Sequence, residues 1–116
     1  MTDRLNELRD RIISFRDERD WKQFHDLKNL AEAISIEAGE LLELFLWKST
    51  TEAGDVSEAD GNRVRDEVAD IFIFLIYFCH EAGIDLLDAV TSKLSVNQAK
   101  YPVEKARGRS DKYSEL

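Results

Sequence analysis

The stretch EVADIFIFLIYFCHE, residues 67–81, sets an unbroken apolar run behind two acids spaced three residues apart. Ile and Val suit strands as well as helices. However, the run contains no Gly or Pro, it exceeds the usual strand length, and residues three apart share a face in a helix but not in a strand. It is therefore read as the second half of a helix that starts near residues 58–62 and is ended by Gly83. Being apolar on all sides, this half should be enclosed by other helices and in part by another subunit. Glu67 and Asp70 stand at the mouth of that run, and an unpaired buried carboxylate is costly, so something should compensate them.

Similar patterns extend outward in both directions. Residues 3–19 space Leu5, Leu8, Ile12 and Phe15 at three and four residues, which predicts an amphipathic helix with Thr2 as its N-cap. The segment DWKQFHD, 20–26, interrupts the pattern as an aromatic-rich connection. LKNLAEAISIEAGELLELFLW, 27–47, predicts a second helix, in which Gly39 suggests close packing because it costs about 1 kcal/mol relative to Ala. The polar stretch 48–61 holds Gly54 and Gly61 and reads as a loop. Asp85 caps a fourth helix, 86–100, which carries Leu86, Leu87, Val90, Leu94 and Val96 and is stopped by Pro102. The expected fold is a four-helix, all-α domain over residues 1–101, followed by a polar tail, 102–116.

Composition narrows the function classes. A chain of 116 residues supports one domain, and its net charge of −8 argues against a protein that grips nucleic-acid backbone. A small phosphorylated substrate stays open, because a divalent cation reverses the local sign. Cys79 is the single cysteine and lies inside the apolar run, so it reads as a core hydrophobe. The charged N-terminus lacks a signal-peptide pattern, and the run Ile71–Cys79 is too short to span a bilayer, so a cytoplasmic location is expected.

Acids three apart are common in so acidic a chain. Glu7/Asp10, Asp17/Asp20, Glu52/Asp55 and Asp85/Asp88 are most simply solvated or capping pairs. Glu37 and Glu40 differ, because they sit in the most apolar part of the second helix, and Glu67 and Asp70 sit where the third helix turns apolar. If those helices pack side by side, four carboxylates converge and repel. A hard divalent cation with oxygen ligands resolves that conflict; the bland alternative is two pairs on a solvated edge, bonded to Lys or Arg. Glu43 extends the first pair and reads as a ligand, a base for water or a surface acid. A di-iron bundle would need Glu-x-x-His motifs, and neither His25 nor His80 lies three residues after a glutamate.

EAGELLELFLWK followed by DEVADIFIFLIYF resembles the MazG-like nucleoside triphosphate pyrophosphohydrolases, whose signature is E-x-x-E and E-x-x-D on two packed helices. The stretches FRDERDWKQFHDLKNL, SKLSVNQAKYP and KYSEL are similar to the small dCTP pyrophosphatase branch, and the likeness covers nearly the whole chain. The resemblance implies a MazG-like four-helix bundle that assembles as a dimer or a dimer of dimers. It also implies Mg²⁺-dependent hydrolysis of a dNTP, dCTP or a related pyrimidine, to the monophosphate and pyrophosphate, with Mn²⁺ as a substitute metal. Glu37, Glu40, Glu67 and Asp70 would bind the metal. The nucleophile would be prepared by Glu40, by Glu43 or by hydroxide on the metal.

Residue chemistry suits other matched positions to substrate. Trp21 and Trp47 offer flat faces for a base, although core packing is the plainer reading of each. Asn97 offers a donor and an acceptor. Lys48, Lys93, Lys100 and Tyr101 are candidates for phosphates or sugar. Arg107, Arg109, Lys112 and Tyr113 in the tail are weaker ones, since a basic tail is usually just solvated. Animal members of the branch carry a His on the first helix where this chain has Ile12, which cannot donate to a cytosine carbonyl. A broader dNTP range, another pyrimidine or a dUTPase-type relative is the alternative on that point. The alternative to an enzyme is a non-catalytic acidic helical module for dimerisation or regulation.

Overall fold

The structure is a computed structural model, and it describes residues 2–49, 51–52 and 58–116. Among these the fold is all-α, without strands. Four long helices carry it: α1 (Thr2–Glu18), α2 (Leu27–Glu43), α3 (Glu58–Ala82) and α4 (Leu86–Lys100). A short α5 (Val103–Ala106) and two 3₁₀ turns, Lys22–Phe24 and Tyr113–Glu115, complete the described elements. No described helix is long and apolar enough to cross a membrane. The chain divides into two compact units, Met1–Gly83 and Ile84–Leu116.

In the first unit α2 packs lengthwise on α3, and α1 packs on the same α3. Asp26 starts α2 by accepting a 2.7 Å hydrogen bond from the Asn29 N–H, which satisfies one of the orphan donors of the first turn. Leu30 is 1% exposed and, with Ile12, Ile76 and Tyr77, makes up the buried apolar core. Helix α2 ends four residues earlier than periodicity predicts. From Leu44 the amide bonds shift to carbonyls three residues back, and the tightened turns end at Trp47, whose φ is +66°. Gly83, at φ +67°, closes α3 in the left-handed conformation that glycine adopts without strain.

Three expectations change. The loop expected over 48–61 is partly helical: Ser49 and Glu52 exchange reciprocal backbone–side-chain bonds of 3.1 and 3.2 Å, a capping box that opens a helical turn at Thr51. Gly61 lies inside α3; residues 50 and 53–57 of that loop, Gly54 among them, fall outside the described residues. The apolar run of α3 is not enclosed within the chain, since Ile76 and Tyr77 are buried while Ile71–Leu75, Phe78 and Cys79 are half-buried. Close packing at Gly39 is also absent among the described residues, because none of them lies within 4 Å of where its Cβ would be. Gly39→Ala should therefore raise the unfolding free energy by about 0.5–1 kcal/mol in a urea titration. A loss of stability would instead place a partner's backbone against this face.

Arg16, a cation on amphipathic α1, is 1% exposed. Its Nη1 donates to Glu81 Oε1 at 2.6 Å and its Nε to Asp17 Oδ1 at 3.1 Å, so α1 is pinned to the end of α3. The Tyr77 hydroxyl donates to the Ile12 carbonyl at 3.4 Å, and the His25 ring leans on Tyr77 at 4.7 Å between centroids. Burial, aided by the Arg16 charge, holds the His25 imidazole below its ordinary value, so it stays neutral near pH 7. Burial pushes the Cys79 thiol up, consistent with a core hydrophobe.

In the second unit Asp85 caps α4 by accepting from the Asp88 N–H at 3.1 Å. Pro102 stops α4 and begins α5, because its carbonyl accepts from Lys105 and Ala106 and it has no N–H to leave unpaired. The terminal 3₁₀ turn brings the Tyr113 ring edge-on to Tyr101, with centroids 6.2 Å apart, and beneath the Lys100 ammonium at 4.6 Å.

Candidate metal centre

Spacing of three residues puts Glu37 and Glu40 on one face of α2, and Glu67 and Asp70 on one face of α3. The packing of α2 on α3 brings three of these four together: one carboxylate oxygen each from Glu37, Glu67 and Asp70 lie within 4.8 Å of one another. Glu40 is exposed beside this triad, close enough for its charge to act on both Glu37 and Glu67. Glu43 is exposed at the end of α2.

Glu37 and Glu67 are half-buried, and the Oε2 atom of each is shielded from water without a hydrogen-bond donor among the described residues. Such an atom is ordinarily satisfied, so each calls for a positive partner. Partial burial raises the Glu37 carboxyl to about 7, helped by the Glu40 and Glu67 carboxyls and by the Asp70 charge. Glu67 is raised as well, through partial burial first and then through Glu40 and Asp70, while its contact with Glu37 acts the other way. Clustered carboxylate oxygens with orphaned atoms are the donor set that a hard divalent cation takes.

A pH dependence follows from the Glu37 value. In the metal-free protein the folded state keeps a proton that the unfolded chain releases near 4.5, so the folded state binds more protons between 4.5 and about 7. The Glu37 contribution is thus fully present below pH 4.5 and is lost as pH rises to about 7. Wild type should lose stability relative to Glu37→Gln across that window in EDTA. A divalent cation should raise Tm more at pH 8 than at pH 5, because it replaces the proton. Equal Tm gains at the two pH values would separate the cluster from metal binding.

The remaining sequence candidates fall in different places. Trp21 stands edge-on to Phe15 at 5.6 Å, and the Arg19 guanidinium covers the face of Phe15 at 3.8 Å. Trp47 is 92% exposed at a strained positive φ, which core packing does not explain. Lys48 follows it, half-buried. Lys93, Asn97 and Lys100 are on α4 and Tyr101 caps it, all in the second unit, with Asn97 half-buried. Alongside α3, a cleft of about 260 Å³ is lined by Leu8, Arg11, Ile12, Phe15, Ile73 and Tyr77. Arg11 escaped the sequence reading, although it occupies the stripe 8, 11, 12, 15, whose other members are apolar and of which Ile12 alone is buried.

Paired acidic faces on two packed helices give this all-α fold a carboxylate cluster of the kind that can hold a metal ion. Residues 33–116 match the MazG-like family, and the chain belongs to it. The chain is 40% identical over 114 residues to the mouse and human proteins named dCTP pyrophosphatase 1, covering 97% of this chain and 67% of each relative. Among solved structures, a pyrophosphatase from Archaeoglobus fulgidus superposes with a TM-score of 0.80 at 43% identity, over 85% of this chain and 93% of that one. The chain is accordingly an enzyme of the nucleotide pyrophosphatase type.

Proposed function

We propose that the protein hydrolyses a deoxynucleoside triphosphate, dCTP or a related pyrimidine, between the α- and β-phosphates, in a Mg²⁺-dependent reaction that Mn²⁺ also supports. The observation that carries this reading is the triad Glu37, Glu67 and Asp70 with its two orphaned oxygens. The relatives named for dCTP support the substrate class.

Glu37, Glu67 and Asp70 would hold the cation, and Glu40 beside them would complete the set. A divalent metal held there would neutralise phosphate charge, polarise the α-phosphorus and acidify water. Water adds to the α-phosphorus, pyrophosphate leaves, and the proton given up passes to an exposed carboxylate, Glu43 or, where it stays off the metal, Glu40. Trp21 and Trp47 stack on the base. Lys48, Lys93 and Lys100 serve the phosphates, and Asn97 and Tyr101 the sugar or base edge. The catalytic domain spans residues 1–101, with the tail 102–116 outside it. The protein works as a homodimer or a dimer of dimers in the cytoplasm, limiting the nucleotide pool, and binds neither nucleic acid nor membrane. Support for assembly comes from apolar side chains left open on and just beyond α2, with Ile36 61% and Leu42 72% exposed.

Pyrophosphate release from a panel of dNTPs and NTPs, with Mg²⁺ and with EDTA, tests the reading. Turnover should be confined to the Mg²⁺ arm. Silence on every nucleotide would overturn it.

A further inference from the structure

The cleft beside α3 has five walls without charge, Leu8, Ile12, Phe15, Ile73 and Tyr77, and one cation, Arg11. Arg11 is exposed and makes no ion pair or hydrogen bond among the described residues. The cleft also continues the carboxylate face of α3. Ile73 lies three residues, about 4.5 Å of helical rise, beyond Asp70, and Tyr77 lies one turn further along the same stripe. A nucleotide whose phosphates lie at the carboxylate cluster therefore has its base within reach of this cleft. Phe15, one of its walls, carries Trp21 on its edge.

We infer that Arg11 is a specificity-determining residue, whose guanidinium fork reads the O2 and N3 acceptors of a cytosine and disfavours uracil and thymine. The inference rests on the proposed nucleotide reaction and deepens it. Guanidinium has donors only, arranged as a planar fork. Cytosine presents O2 and N3 side by side as acceptors. Uracil and thymine carry an N3–H between their carbonyls, so a donor meets a donor at that edge. The Ile12 side chain contributes shape but no hydrogen bond, the Tyr77 hydroxyl donates to the Ile12 carbonyl, and Arg11 supplies the one charged group among the lining residues.

The test compares kcat/KM for dCTP, dUTP and dTTP in wild type, Arg11→Leu and Arg11→Lys. A bidentate contact predicts that wild type favours dCTP over dTTP and dUTP by about tenfold or more. Arg11→Leu should reduce that ratio about tenfold, and Arg11→Lys, which keeps the charge but loses the fork, should also reduce it. A purely structural role would change the three substrates in parallel and leave the ratio alone. An unchanged ratio in Arg11→Leu, a full ratio in Arg11→Lys, or a wild-type preference for dTTP or dUTP overturns the assignment of Arg11 while the reaction stands. Absence of turnover on all three would overturn the reaction itself, and the assignment with it.

Discussion

Asp70→Asn should lower kcat for dCTP hydrolysis by about 10²-fold or more while leaving the helical circular dichroism of the protein intact. Asp70 supplies one of three carboxylate oxygens gathered within 4.8 Å, and an amide at that place keeps the size but loses the charge. Stabilisation of phosphate charge at such a centre is worth several kcal/mol, and each 1.4 kcal/mol is a factor of ten in rate. The fold should not suffer, because the mutation removes repulsion among Glu37, Glu67 and Asp70 rather than a favourable contact. In EDTA at pH 8 the variant should melt no lower than wild type. It should also lose most of the Tm gain expected for wild type with Mg²⁺. Near-normal turnover in Asp70→Asn would remove Asp70 from the ligand set.

The second large effect is on stability. Arg16→Ala should cost about 3 kcal/mol, a drop in Tm of roughly 10 °C for a domain of this size. Arg16 is buried at 1% exposure, so its removal leaves Glu81 facing a cavity without its 2.6 Å partner and takes the cation from beside the Tyr77 ring, 5.8 Å away. Glu81 keeps 21% of its side-chain surface in water, and that places the cost at the lower end of the range for buried pairs. Replacing both partners, Arg16→Met with Glu81→Leu, should recover much of the loss, since most of the penalty is the stranded charge. Thermal melts at one fixed protein concentration read both variants, which keeps any change in assembly from entering the comparison. A loss below about 1 kcal/mol for Arg16→Ala would mean that the pair behaves as a surface contact.

What could be read from the sequence was set by how local each signal is. Helix α3 was legible because its acid spacing and breaker-free apolar run have one economical solution, and Gly83 marks its end. The carboxylate triad was legible because two pairs with one-turn spacing sat in apolar context on neighbouring helices. The buried Arg16 was not, since a cation on an amphipathic helix looks solvated until Glu81, 65 residues away in the chain, folds against it. Arg11 was hidden in the same way, one residue before Ile12 in a stripe whose other members are apolar. The end of α2 was misread because Leu44, Phe45 and Leu46 continue the apolar pattern while the backbone has already tightened towards Trp47. Ser49 and Glu52 carried a capping box in plain view, outweighed by the polar composition around them.

The most direct measurement of the central claim is the product ratio from dCTP with Mg²⁺, followed by phosphorus NMR or ion-exchange chromatography. Cleavage between the α- and β-phosphates predicts dCMP and pyrophosphate in equal amounts, with no orthophosphate, and loss of both products in EDTA. Formation of dCDP with orthophosphate, or unchanged turnover in EDTA, would contradict it.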